Sequence, residues 1–189
     1  MEERSLKRIG FVVLLVLLVL GWLTLFFVSS PEEVVEWLGV TNGYLVVFLL
    51  GVIGAVTSLT SVSTYPAIYT LAAGEMNPGL LVVISGVGLT LGDFLFILLG
   101  ISARGVLSEG TKERVARFLA WLYQRPTVVI QFFLFVWVGL TPFANNLLTA
   151  PLAVTEFPAR KMVVPIFLGN LVLPVLTVWL GMKGVAWLW

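Results

Sequence analysis

The sequence predicts an all-α integral membrane protein: polytopic helices with two oppositely oriented re-entrant hairpins forming an inverted repeat. Three observations carry that expectation. Hydrophobic residues make up 59% of the 189 positions and charged residues 11%, against about 45–50% and about 25% in soluble domains. The apolar residues gather in long runs, and Ile9 to Val28 contains no charge, where about 20 residues are enough to cross about 30 Å of hydrocarbon. The two halves also present the same order of features, described below. Runs of this length do not suit a porin-like barrel, whose strands show about ten alternating residues.

Taken in order, the first run follows a basic start (Arg4, Lys7, Arg8) and lacks a small-x-small cleavage site. It therefore reads as a permanent transmembrane helix and not a signal peptide. Ser30-Pro31-Glu32-Glu33 is a capping box with proline at the first helical position. The short interfacial helix that follows ends at Gly39, and residues 1–42 form this N-terminal part. Tyr44 to Val56 is apolar but short, and gives way to the hydroxyl-rich Thr57 to Tyr65 and then Pro66. A second short apolar piece, Ala67 to Ala73, ends at Gly74-Glu75. Two half-helices around a polar turn are tolerated at membrane depth only when buried in protein or lining a cavity. Pro78 opens a long helix to about Ile101 that carries one acid, Asp93, and the Gly88/Gly92 spacing of close-packed helices.

Residues 105–125 form an amphipathic connector, with Val115, Phe118, Leu119 and Leu122 at helical spacing. Lys112, Arg114 and Arg117 lie opposite them and suit anionic lipid headgroups. The earlier order then returns: an apolar run Thr127 to Leu140, a polar break Thr141-Pro142-Phe143-Ala144-Asn145-Asn146, and an apolar piece Leu147 to Val154 containing Pro151. A long helix from Met162 to about Gly181 closes the series, with Asn170 and two prolines inside, and Trp187 and Trp189 at the interface. A shift of 81 positions sets Leu59-Thr60 on Leu140-Thr141, Leu71-Ala72 on Leu152-Ala153, Glu75 on Glu156, Gly88 on Gly169 and Leu99-Gly100 on Leu180-Gly181. The repeat domain is thus 43–189, with units 43–102 and 126–182.

Charge placement orients these units. The basic start puts the N-terminus in the cytoplasm. The basic connector stays on that side only if residues 43–76 enter and leave by the outer face. The second hairpin then enters from the cytoplasm, a transporter design in which discontinuous helices meet at mid-membrane.

Tyr65-Pro66, Ala72-Ala73-Gly74, Asn77-Pro78, Gly92-Asp93 with Gly100, Thr141-Pro142 with Asn145-Asn146, Phe157 and Gly169 together resemble the DedA family. This is the SNARE-associated or VTT-domain superfamily of membrane proteins, here in its short, divergent branch. The resemblance covers roughly residues 43–182. It implies opposed re-entrant hairpins and transbilayer movement of phospholipids or polyprenyl-phosphate carriers, with ion coupling proposed for bacterial members. The chain departs from the family pattern in three places. Ala67 and Ile68 stand where an acid often follows the first proline, Ile101 stands where an arginine commonly follows the glycine, and Gly139 to Leu147 holds no basic residue.

The candidate substrate- or ion-binding residues are Asp93, Asn145, Asn146, Asn170, Thr60, Ser61, Ser63, Thr64, Tyr65 and Thr141, with Pro66, Pro142 and Pro151 as hairpin breakers. Asp93 leads, because a carboxylate at the bilayer centre costs about 2.5–3.5 kcal/mol on insertion scales. Its plainer role is to accept hydrogen bonds from broken helix ends. Asn170 echoes it one turn out of register and equally suits interhelical bonding. The hydroxyls and amides of the two breaks can satisfy their own turns or line a cavity. Glu75 and Glu156 suit helix ends.

Lipid transport by a flippase or scramblase is the leading expectation. An ion-coupled solute transporter and a membrane scaffold without substrate are the alternatives. The absence of His and Cys excludes disulfides and thiol chemistry, and Asp93 has no partner acid at depth, so an enzyme is not expected. No cofactor, metal or nucleic-acid partner is expected either. Membrane lipids are the expected partners, homo-oligomerisation is open, and the expected location is the plasma membrane of a bacterium or archaeon.

Overall fold

The computed structural model describes residues 31–57, 60–103, 109–141, 145–154 and 157–188. The expectations for Ile9 to Val28, Ser30, Pro142, Glu156 and Trp189 lie outside them. Among the described residues every regular element is an α-helix: α1 Pro31–Leu38, α2 Val40–Thr57, α3 Thr60–Ala73, α4 Pro78–Ala103, α5 Glu109–Tyr123, α6 Thr127–Leu140, α7 Asn146–Val154 and α8 Ala159–Leu188. Gly39 separates α1 from α2 with a φ of 74°, a left-handed turn that glycine adopts without a Cβ penalty. Among the described residues two helices are long and apolar enough to cross a membrane, over Pro78–Ser102 and Ala159–Gly184, with mean hydropathies of 2.2 and 2.1. At 26 and 30 residues, α4 and α8 extend about 39 and about 45 Å.

The prolines correct one expectation. Pro66 lies inside α3 and Pro151 inside α7, so neither breaks its helix. Each removes one backbone N–H and leaves a single carbonyl, of Val62 or Leu147, without its intrahelical donor. The hydroxyl-rich stretch from Thr60 is accordingly the first part of α3, not a turn. Serines and threonines weaken helices when they bond to nearby backbone, but the Thr64 hydroxyl instead donates across to the Leu50 carbonyl of α2 at 2.8 Å. Thr70, one turn beyond the proline, does bond back, donating its hydroxyl to the Pro66 carbonyl at 3.0 Å.

Helix packing follows a crossed pattern. α2 lies along α4 and α6 along α8, whereas α3 packs on α8 and α7 on α4, with α4 and α8 crossing between them. Two buried clusters result. One contains Ala67, Leu71, Ala72, Met76 and Leu81 together with Val178 of α8. The other contains Leu148, Leu152, Ala153, Phe157 and Met162 together with Ile97 of α4. Each member of the first set falls on its counterpart under the shift of 81 positions, and Ile97 and Val178 are exchanged between the clusters. Two glycine–alanine contacts are reciprocal too. A Cβ at Gly100 would stand 3.0 Å from the Cβ of Ala153, and one at Gly181 would stand 3.0 Å from that of Ala72.

The ends of α3 and α7 match as well. Met76 N–H reaches Leu71 O at 3.2 Å and Glu75 N–H reaches Ala72 O at 3.3 Å, the paired bonds of a Schellman cap. Phe157 N–H reaches Leu152 O at 3.1 Å in the equivalent place. Glu75 holds the left-handed position with a φ of 62°, where a side chain costs about 1 kcal/mol relative to glycine. Glu75→Gly should therefore raise the thermal midpoint of the purified protein by a few degrees, and a fall would show that the carboxylate has a structural partner.

Pro165 in α8 removes the donor to the Lys161 carbonyl. The Gln131 side-chain amide of α6 fills the gap, donating to that carbonyl at 2.9 Å. Gln131→Leu should cost about 1–2 kcal/mol in wild type, and clearly less in a Pro165→Ala background, where the backbone donor returns. A thermodynamic cycle over the four proteins measures this coupling.

Large apolar side chains face outward on every long helix, among them Ile53, Leu95, Phe132, Leu168 and Trp179, whereas Thr64, Ser85, Thr90, Asp93, Thr149 and Asn170 are buried. Contiguous exposed apolar surface of this extent is what a membrane or a protein partner covers.

Candidate functional site

Asp93 lies near the middle of α4, about 22 Å from its first residue and about 15 Å from its last along the axis. The residue is 0% exposed. Helix α8 crosses α4 at this level and brings Asn170, 2% exposed, against it. The Asn170 Nδ2 donates to Asp93 Oδ2 at 2.8 Å and lies 3.3 Å from Thr90 Oγ1. The Thr90 hydroxyl in turn donates to the Gly86 carbonyl at 2.7 Å. From the residue before α7, Asn145 Nδ2 approaches Asp93 Oδ2 at 3.3 Å and Asn170 Oδ1 at 3.4 Å. Asn145 is only half-buried, so the cluster comes nearest the surface on that side. Asp93 Oδ1 is buried and accepts no hydrogen bond among the described residues.

Local sequence explains how each group arrives. Thr90 and Asp93 are three apart and share one face of α4. Gly92 lets α2 approach closely beside them, since a Cβ there would run into the Val52 carbonyl oxygen. Asn145 is fixed from below: its own carbonyl accepts from Thr149 N–H at 3.1 Å and from the Thr149 hydroxyl at 3.2 Å. α6 stops at Leu140, and Thr141 takes an extended conformation with φ −99° and ψ 116°.

Of the residues singled out from sequence, Asp93, Asn145 and Asn170 meet directly, while Tyr65 lies half-buried in α3. Thr64 does not join them; its hydroxyl is spent on Leu50. The Thr141 hydroxyl likewise turns back to the Trp137 carbonyl of its own helix. The side chains of Thr60, Ser61, Ser63 and Asn146 lie outside the described set. Sequence reasoning missed Thr90. Its only signal was the three-residue spacing to Asp93, which many buried threonines share.

Chemically the cluster offers a carboxylate with one oxygen saturated by amide N–H groups and the other open. Asp93 is the only ionisable group among the described buried residues, and no group of three or more metal-ligating side chains occurs among the described residues. No family profile, no curated protein and no solved structure matches this chain.

Proposed function

We propose that this chain is a multi-pass membrane transporter of the DedA type that moves a lipid, a phospholipid or a polyprenyl-phosphate carrier, between leaflets. In this reading α2–α3 and α6–α7 are re-entrant pairs of opposite orientation, α4 and α8 cross the bilayer, and α5 lies on the cytoplasmic surface with Arg114 and Arg117 toward anionic headgroups. The cell membrane is its location and the N-terminus is cytoplasmic. The observation that carries the reading is the convergence of Asp93, Asn145 and Asn170, from both halves of the chain, inside a bundle with an apolar exterior. Exchange of cluster residues between the halves supports the inverted repeat, because a two-fold relation makes such contacts reciprocal.

An ion-coupled transporter of a small solute is the second reading. The complete burial of Asp93 favours it, since a coupling carboxylate works by being neutralised out of water. Reconstitution into liposomes with fluorescent phospholipids separates the two. Protein-dependent scrambling is the result the lipid reading requires. Failure with several headgroups and with a polyprenyl phosphate moves the assignment to solute uptake.

A further inference from the structure

We infer that the cluster seats one small monovalent cationic group on Asp93 Oδ1, a primary ammonium or an alkali-metal ion. Resting on the transport reading of the same site, this names what the site selects. The N–H groups of the two amides are already directed. Asn170 points toward Asp93 Oδ2 and Thr90, and Asn145 toward Asp93 Oδ2 and the Asn170 carbonyl oxygen. Neither amide has an N–H directed at Oδ1, which is buried without a hydrogen-bond partner among the described residues. A buried carboxylate oxygen left unpaired is unfavourable, and a cation relieves it.

The surroundings restrict which cation fits. The remaining buried polar groups are hydroxyls and one amide, with no basic side chain among the described buried residues. A phosphate would therefore face the carboxylate with no compensating charge. A divalent ion needs more oxygen ligands and usually more than one carboxylate, which Asp93 alone does not supply. A primary ammonium carries only donors and can direct one N–H to Oδ1. A quaternary ammonium has no N–H to donate and is held instead by aromatic faces. The same carboxylate oxygen suits a sodium-sized ion. Ammonium from a lipid headgroup and a dissolved ion are thus two sources of one chemistry.

The test uses the full chain in detergent, with thermal unfolding followed by the fluorescence of its seven tryptophans. Chlorides of sodium, potassium, ethanolamine, choline and N-methylglucamine are compared at equal ionic strength, for wild type and Asp93→Asn. A saturable rise of a few degrees with sodium or ethanolamine, absent with choline and N-methylglucamine and abolished in the variant, is the expected result. A rise with ethanolamine, matched by faster scrambling of phosphatidylethanolamine than of phosphatidylcholine or phosphatidylglycerol, assigns the site to a headgroup. A rise with sodium and no headgroup preference assigns it to a dissolved ion. Equal midpoints in all five salts, or equal rises in wild type and variant, overturn the inference. The wild-type series stands alone if the variant does not fold. Scrambling without any cation or headgroup preference would sink this inference and leave the lipid reading intact, whereas cation-specific stabilisation without scrambling keeps the inference and removes the lipid reading in favour of solute uptake.

Discussion

On the proposed transport reading, Asp93→Asn should keep the fold and lose transport. The change is nearly isosteric, and the new side-chain carbonyl can still accept from Asn170 and Asn145, which now reach Oδ2 at 2.8 and 3.3 Å. It also removes a buried charge whose insertion costs about 2.5–3.5 kcal/mol. The thermal midpoint should therefore stay level or rise, measured without added cation, while scrambling falls about tenfold or more, a barrier change of about 1.4 kcal/mol. Midpoint and rate together distinguish the roles. A carboxylate that merely caps its neighbours would lose stability in step with activity. Asp93→Leu provides the contrast, because it orphans amide donors at about 1–3 kcal/mol for each unsatisfied group.

The second large effect is structural. Gly92→Leu should cost roughly 3 kcal/mol or more, enough to leave little folded protein after extraction. A Cβ at position 92 would run into the Val52 carbonyl oxygen and stand 2.7 Å from the Ala55 Cβ. The first obstacle is backbone and cannot rotate away, so α2 must lift from α4. Gly110→Leu is the matched control, since nothing lies within 4 Å of that glycine. Yields on size exclusion and thermal midpoints of the two variants should separate widely. A well-folded Gly92→Leu protein would mean that α2 and α4 are not held together at that level.

Much of the helical order was legible from apolar runs and their punctuation. Thr127 to Leu140 was bounded correctly because Pro126 precedes it and Thr141 ends it. The α3 boundary was misread for a reason of balance. Pro66 and a run of hydroxyls suggest a turn, yet a proline removes only one hydrogen bond, and tertiary contacts of Ala67, Ile68 and Leu71 outweigh it. Sequence also pointed to Asp93 and Asn170, as polar groups within apolar helices. It did not pair them: under the 81-residue shift Asp93 falls on Pro174 and Asn170 on Leu89. Only the crossing of α4 and α8 brings them together, and no local pattern encodes a crossing point.

The exchanged packing of α3 on α8 also imposes a schedule on synthesis. Leu71 and Ala72 leave the ribosome long before Val178 and Gly181, the residues that cover them. At about 5–20 residues per second, the interval is roughly 5–20 s. During that time the first half lacks its partner, and in the membrane reading proposed above its buried face must be shielded by lipid or by the insertion machinery. A nascent chain stopped before α8 keeps that face bare and should be degraded rapidly. Co-expressing the missing segment as a separate peptide should rescue it, as a late-arriving clasp.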